Sequence, residues 1–411
     1  MKIAHDQCRP QHLAYCQNVH AVESADEVLA AIERYFGPVV AGLKSRGHRG
    51  PFAAGLRLSA RATREFEADG FLLDALGEAL MRLDAHVSTV NAFPFGVFQT
   101  DGLKSDVYRP DWQDDERLHY TTLVGEILAD LPCASSSQSV STIPGSYRGF
   151  GTADETSMAA RIAELALRFW TCGLTCERPL VLAIEPEPGC TWETTEEFIR
   201  FYNEVLLRGT WPALEASKPG NRALHEAILR QHVGICFDTC HAAVEFEDIR
   251  QSLGRLESEG IPVAKMQLSQ ALHLDEPQQN LEGLQRLAAF DEPRFLHQVV
   301  AQRRDGGLDR FPDLPHYLSC AAERDDLAAR SHFHVPIFLD DLGGGLRTTQ
   351  ADLDQALQYA RLRPITEHLE IETYSWSAMP ERRAGPTRDE DLIGDILAEY
   401  DWALERLIKA P

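Results

Sequence analysis

Long apolar runs are missing from this chain. None approaches the ~18 consecutive residues that cross a bilayer, so no direct insertion into a membrane is expected. The opening stretch, MKIAHDQCRPQHLAYC, has no apolar centre ending in a small-residue cleavage site, so no secretory leader is expected and a cytoplasmic protein is predicted. Positive charge is also scarce. Forty Lys and Arg against 63 Asp and Glu leave a formal charge of -23, which repels a phosphate backbone and argues against a nucleic-acid partner. Pairs of CxxC pairs are absent from the nine cysteines, at positions 8, 16, 133, 172, 176, 190, 236, 240 and 320. An odd count in a large acidic chain predicts reduced thiols. Cys172 and Cys176 sit at the end of an amphipathic helical pattern without a matching pair, and read as structural thiols rather than a metal or redox pair. Low-complexity tracts and short repeats of fixed period are lacking as well.

What is present is an alternation. A hydrophobic content of 44 % supplies a substantial core. Eight short β-rich runs stand out: HLAYCQNVH (12–20), FAAGLRLS (52–59), AHVSTVNAF (85–93), QSVSTIP (138–144), LVLAIEPE (180–187), HVGICFDTC (232–240), VAKMQLS (263–269) and HLEIETYSW (368–376). Between them lie helical patterns at 24–36, 62–83, 115–131, 157–170 and 389–409, with Ser24 placed to cap the first. Eight βα units with strands too apolar to have a wet face predict one (β/α)8 TIM barrel over 1–411. A doubly wound open sheet would carry a Gly-rich phosphate loop after an early strand, and none follows the first. An inserted region at 270–330, rich in Pro, Gln, Asp and His, interrupts the alternation before the last strand and is followed by an extra β-like run, HFHVPIF (332–338). Such insertions cap barrel sites at the C-terminal face.

Barrel chemistry is assembled where strands end. There the sequence delivers Asn91, Glu185, Glu187, Asp238, His241, Gln267, His332, His334, Glu370 and Glu372. Bare carboxylates crowded into one mouth repel, and a divalent cation relieves them. Pro186 and Pro188 suggest that the fifth strand is ending, which puts Glu187 in the loop and leaves Glu185 as the ligand. Glu370 and Glu372 share a face, and Glu372 is nearer the rim. His332 and His334, two apart in an extended segment, project to one side and can chelate one ion together with His241. Gln267 is a neutral oxygen ligand better suited to Mg or Mn than to a thiolate-loving ion. Candidate substrate contacts are Asn91, Lys104, Tyr108 and Trp112 after strand 3, Tyr147 and Arg148 after strand 4, and Arg347 after LGGGL. In that run, Gly343 to Gly345 can let backbone amides approach a phosphate or carboxylate.

These residues resemble the xylose-isomerase-like TIM-barrel superfamily, which includes sugar epimerases and the apurinic endonuclease IV family. GICFDTCHA looks like the strand-6 motif of endonuclease IV, and LAIEP, KMQLS and EIET are similar to the metal-bearing ends of strands 5, 7 and 8. The resemblance implies one central ion, Mn, Mg or Zn, held by Glu185, Asp238, Gln267 and Glu372, with Gln267 where His is commoner. His241, His332 and His334 match a trio, normally His, Asp and His, that holds an additional zinc in the nuclease, so two or three ions are an alternative. The nuclease's histidines at strands 3 and 4 are replaced, one by Asn91 and the other by Thr142 or Ile143. The loops NAFPFGVFQTDGLKSDVYRPDW and STIPGSYRGFG, with SHFHVPIF, most resemble the metabolite-traffic proteins of the bacterial Ebo cluster. That implies handling of a small-molecule substrate alongside pathway partner proteins. The resulting expectation is a metal-dependent sugar or sugar-phosphate isomerase or epimerase, with Glu185 and Glu372 as catalytic bases. A multinuclear phosphoester hydrolase and a non-catalytic metabolite carrier are the alternatives.

Overall fold

The computed structural model describes residues 1–3, 10–176, 178–210, 222–383, 385 and 388–408. Cys8, and Lys409 at the end of the helix expected over 389–409, lie outside the described residues. Eight parallel strands form the barrel: β1 (Gln11–Tyr15), β2 (Phe52–Arg57), β3 (Ala85–Asn91), β4 (Gln138–Thr142), β5 (Leu180–Ile184), β6 (Val233–Asp238), β7 (Val263–Leu268) and β8 (His368–Ile371). From β2 to β8 each pairs with the next. β8 returns to β1, and a parallel bridge between Cys16 and Gly55 closes the ring against β2. A short strand, Lys2–Ile3, runs antiparallel outside β1.

Each strand starts at or within one residue of the place its alternation indicates, but stops earlier. The polar ends have left the ladder and become loop. Every strand turns one apolar side chain or more outward against the helices: Leu13, Leu56, Val90, Val140, Leu182, Ile235, Met266 and Leu369 are all fully buried there. The first helix, Ala25–Ala31, begins in a capping box between Ser24 and Glu27. The helix read over 62–83 is two, Ala60–Ala68 and Gly70–Arg82, because Asp69 turns out of the first and its carboxylate accepts from Phe71 N to cap the second. The pairing of β3 with β2 skips Ser88, which resets parity so that both His86 and Asn91 face the bore.

After β7 the chain leaves the barrel for a five-stranded antiparallel sheet in the order Leu308–Phe311, Val299–Arg303, Asp326–Ser331, Leu272–Asp275 and Arg347–Thr348. Phe98, Leu274, Phe290, Phe295, Phe333 and Leu346 pack beneath it as a second core at the barrel mouth. The run HFHVPIF is not an added strand. The ladder ends at Ser331, Pro336 has no N–H to extend one, and the segment from His332 onward crosses back over the mouth in extended coil. No helix among the described residues is long and apolar enough to cross a membrane.

Candidate metal centre

Barrel bores are normally filled by branched aliphatic side chains. This one is polar from end to end. At the N-terminal floor lie His12, His86 and His368. Above them Lys265 sits 2.5 Å from Glu370 Oε2 and donates to Ser141 Oγ at 3.2 Å, all fully buried. Burial alone would lower the Lys265 ammonium, but Glu370, Cys236, Cys16 and Glu185 together outweigh it and the pKa is raised. Gly55 is required on the facing strand, because a Cβ there would overlap Glu370 Oε1. Two residues further along β5 to β8, on the same faces, stand Glu185, Asp238, Gln267 and Glu372.

Glu185, Asp238 and Glu372 are buried and offer oxygens that all lie within 4.8 Å of one another. One terminal atom of the Gln267 amide is 2.8 Å from Glu185 Oε1 and 2.9 Å from Asp238 Oδ2, and also touches Glu372 Oε2. As nitrogen, its two hydrogens serve two of the three carboxylates at a time; turned over, it adds a fourth oxygen facing the same point. Burial raises Glu185 well above the usual carboxylate range, and the neighbouring Glu372 and Asp238 raise it further. Burial and Asp238 do the same to Glu372. Four oxygens converging without a counter-charge among themselves are the donor set of a hard divalent cation. Asn18 Nδ2, at 2.9 Å, and Asn91 Nδ2, at 3.4 Å, donate to Glu372 Oε1 from the far side and orient it.

Asp238 is the last residue of β6 and the N-cap of the helix Thr239–Val244, its Oδ1 accepting from His241 N at 2.9 Å and from Ser269 Oγ at 2.8 Å. That immediate strand-to-helix turn lifts His241 over the carboxylates. His241 Nε2 lies 3.1 Å from His332 Nε2, which lies 3.2 Å from His334 Nε2. Each ring's other nitrogen faces an acceptor: Nδ1 of His241 meets Pro186 O at 3.0 Å, of His334 Glu372 O at 2.9 Å, and of His332 Gln298 Oε1 at 2.8 Å. Nδ1 therefore carries the proton in all three, and three Nε2 lone pairs point at one another with no donor between them. Burial lowers all three imidazoles, so they stay neutral. Nitrogens bound tetrahedrally at about 2.0–2.1 Å stand roughly 3.3 Å apart, close to the spacing here. Asp238 belongs to both clusters, since it also lies within 4.8 Å of His241 and His334.

Glu187 is in the loop after β5, as expected, and that loop brings it into the site. It is buried, its group with His241 and His332 can also hold an ion, and Tyr108 donates to its Oε1 at 2.7 Å. Burial pushes its carboxyl up to about 8. Gln298 Nε2 donates to Tyr108 Oη at 2.8 Å, tying Glu187 to His332 through one side chain. Parity with Glu185 was the available signal for Glu187; nothing in the sequence signalled Gln298, Asn18 or the adjoining Tyr374. Lys104 reaches the lip of the cleft but is held by Asp313 Oδ2 at 2.8 Å and Glu292 O at 3.0 Å. Tyr147 does not line this cleft; it stacks behind Tyr108, ring centroids 5.0 Å apart. Trp112 is fully buried and Arg148 pairs with Glu193 and Glu197. Arg347 is not brought to the mouth. Gly343, Gly344 and Gly345 take left-handed conformations to close a turn between Asp341 and Arg347, and the arginine, on the edge strand of the small sheet, pairs with Asp340 instead.

Fold and site together define a (β/α)8 barrel with buried candidate metal-binding clusters at its C-terminal mouth. No protein-family model matches the chain, and no curated protein matches it. Among the solved structures similar to the chain are three, each at 12 % identity. An IolI protein with a bound zinc atom matches over 97 % of this chain and 100 % of its own, with a TM-score of 0.49. A xylose isomerase domain-containing protein from Salmonella typhimurium LT2 matches over 96 % and 97 %, with a TM-score of 0.40. A D-tagatose 3-epimerase-like protein matches over 62 % and 75 %, with a TM-score of 0.36.

Proposed function

We propose that this protein is a metal-dependent isomerase or epimerase of the xylose-isomerase-like superfamily, acting on a small molecule with adjacent carbonyl and hydroxyl oxygens. The observation that carries this reading is the convergence of Glu185, Asp238, Gln267 and Glu372 oxygens on one buried point open to a cleft. Glu185, Asp238, Gln267 and Glu372 would hold a divalent cation, Mg or Mn by their oxygen donors, which would supply positive charge to the substrate oxygens. The residues do the rest. Asp238, fixed by its capping and Ser269 bonds, holds the centre in register. Glu185 and Glu372, just past the ends of β5 and β8, take the proton from the substrate carbon and return it. Asn18 and Asn91 keep Glu372 aimed while it does so. The place we propose for this activity is a metabolite-traffic pathway of the Ebo type, on the strength of the loops over 91–112 and 141–151.

A second reading, phosphoester hydrolysis, is favoured by one observation: the three imidazoles with converging Nε2 atoms suit a separate zinc ion. The discriminating experiment is elemental analysis of protein purified without added metal, followed by deuterium uptake from solvent into a panel of hydroxy-carbonyl compounds. One tightly bound equivalent with carbon-bound deuterium supports isomerisation, and Glu372→Gln then abolishes uptake. Two or more equivalents with ester cleavage and no exchange overturn it in favour of hydrolysis.

A further inference from the structure

Resting on the metal-centre reading, we infer that the substrate is not a sugar phosphate but an uncharged molecule whose chelating oxygens are attached to an apolar, aromatic body. The cleft over the centre has two unlike walls. One is the metal-facing wall of Glu185, Glu187, Glu372 and the three histidines. The other is apolar: Phe93, Pro94, Phe98, Leu103, Phe295 and Leu296 line it.

The apolar wall starts at the centre itself. Tyr374 packs on His334 with ring centroids 4.7 Å apart. From there Phe98, Phe295 and Tyr374 form a closed triangle of rings, at 5.0 Å, 5.2 Å and 5.0 Å between centroids. Phe93 continues it toward Tyr108 at 5.7 Å. A ring joined directly to the chelating oxygens would meet aromatic edges and faces from its first carbon outward, the arrangement that aromatic pairs favour. Phe93, Leu103 and Leu296 are only half-buried, so they still present apolar surface to an occupant of the cleft.

The cleft is equally informative in what it denies a phosphate. Lys104 is the one cationic side chain among its described lining residues, and it is already paired with Asp313 and the Glu292 carbonyl. The glycine run at 343–345 is no substitute, since it lies beside Glu282 and Asn280 and does not line the cleft. A dianion entering would find three carboxylates and no free positive partner except the metal.

Three probes with one chelating head separate the possibilities: acetohydroxamate, benzohydroxamate and phosphonoacetohydroxamate, titrated calorimetrically into the metal-loaded full chain. Benzohydroxamate is expected to bind about 10- to 100-fold more tightly than acetohydroxamate, the gain for burying one ring. Phosphonoacetohydroxamate is expected to bind no better than acetohydroxamate. Phe98→Ala and, as a variant outside the buried core, Leu296→Asn should each erase most of the benzohydroxamate advantage while leaving acetohydroxamate affinity within a few-fold, which also shows that the centre is intact. Equal binding of the phenyl and methyl probes, or preference for the phosphonate, overturns the substrate class and leaves the metal centre standing. Failure of all three to bind metal-loaded protein overturns both.

Discussion

The bore holds three buried histidines at each end, and the two trios differ in where their unprotonated nitrogens point. His12, His86 and His368 at the floor are as buried as His241, His332 and His334 at the mouth, and His12 and His86 are in contact as the mouth rings are. At the floor, lone pairs meet donors. Ala134 N–H donates to His86 Nδ1, which leaves His86 Nε2–H to donate to His12 Nδ1 at 3.1 Å, while His368 bridges Ser139 and Ser137. At the mouth, every Nδ1 proton is taken up by a carbonyl or amide oxygen and the three Nε2 lone pairs converge. Burial and clustering therefore do not identify a ligand histidine; the direction of the unprotonated nitrogen does.

The largest effect that tests this contrast comes from Asp238, the residue shared by both mouth clusters. Asp238→Asn keeps the capping oxygen but removes the charge. Metal content should fall to a trace at the oxygen position, and any ion held by the imidazoles should be weakened with it, with turnover reduced by ~10^3-fold or more. His86→Gln at the floor should leave metal content unchanged. An Asp238→Asn protein retaining a full metal complement would remove Asp238 from the centre.

Between floor and mouth, Lys265 is the buried cation that balances the carboxylates. Lys265→Met strands Glu370 in the bore without its partner, and a cost of about 3–5 kcal/mol is expected from breaking a buried pair on one side. Lys265→Met with Glu370→Met should recover most of it, because an apolar pair of similar volume is close to neutral. Urea unfolding midpoints of the single and double variants measure the difference.

Acid should act on the floor in a graded way. Burial lowers His12 to about 2, His86 to about 3 and His368 to about 4, against about 6.5 in the unfolded chain. Above pH 6.5 both states are neutral and these residues leave stability flat. As pH falls below 6.5 the unfolded chain takes up protons the native chain refuses, so stability drops by up to about 1.4 kcal/mol per pH unit for each histidine. His86→Gln should lessen that slope by one proton between pH 6 and 4. An unchanged slope would mean that His86 is not held neutral.

How much of this was legible depends on whether parity or contact decides a position. The eight strands, and Glu185, Asp238, Gln267 and Glu372 at their ends, follow from period-two alternation, and the same face carries Lys265 and Glu370 one step below. His86 escapes that reading, because the bulge at Ser88 changes its face and no residue type in AHVSTVNAF announces one. The prolines on both sides of Glu187 read as a strand end and are one, but only contact shows that this loop turns back into the site: the carbonyls of Pro186 and Pro188 hold His241 and Gln298. Arg347 and Tyr147 were placed near the mouth by order along the chain, and the folding of the insertion into its own sheet carried Arg347 elsewhere.

Gln298 shows what contact adds and offers the finest test of the contrast between the trios. It comes from the small sheet, and its amide divides its bonds: Oε1 accepts from His332 Nδ1, and Nε2 donates to Tyr108 Oη and Pro188 O. Through the first bond it fixes which His332 nitrogen is bare; through the second it steadies the hydroxyl that Glu187 accepts from. Partners of this kind, one step behind a ligand, are worth 10- to 100-fold in metal affinity. Gln298→Leu should therefore weaken the imidazole position by that factor in a chelator competition while leaving the oxygen position within a few-fold, because no Gln298 bond reaches Glu185, Asp238 or Glu372. Equal loss at both positions would mean that the two clusters are one site, and that the lone-pair geometry at the mouth describes a single shared ion.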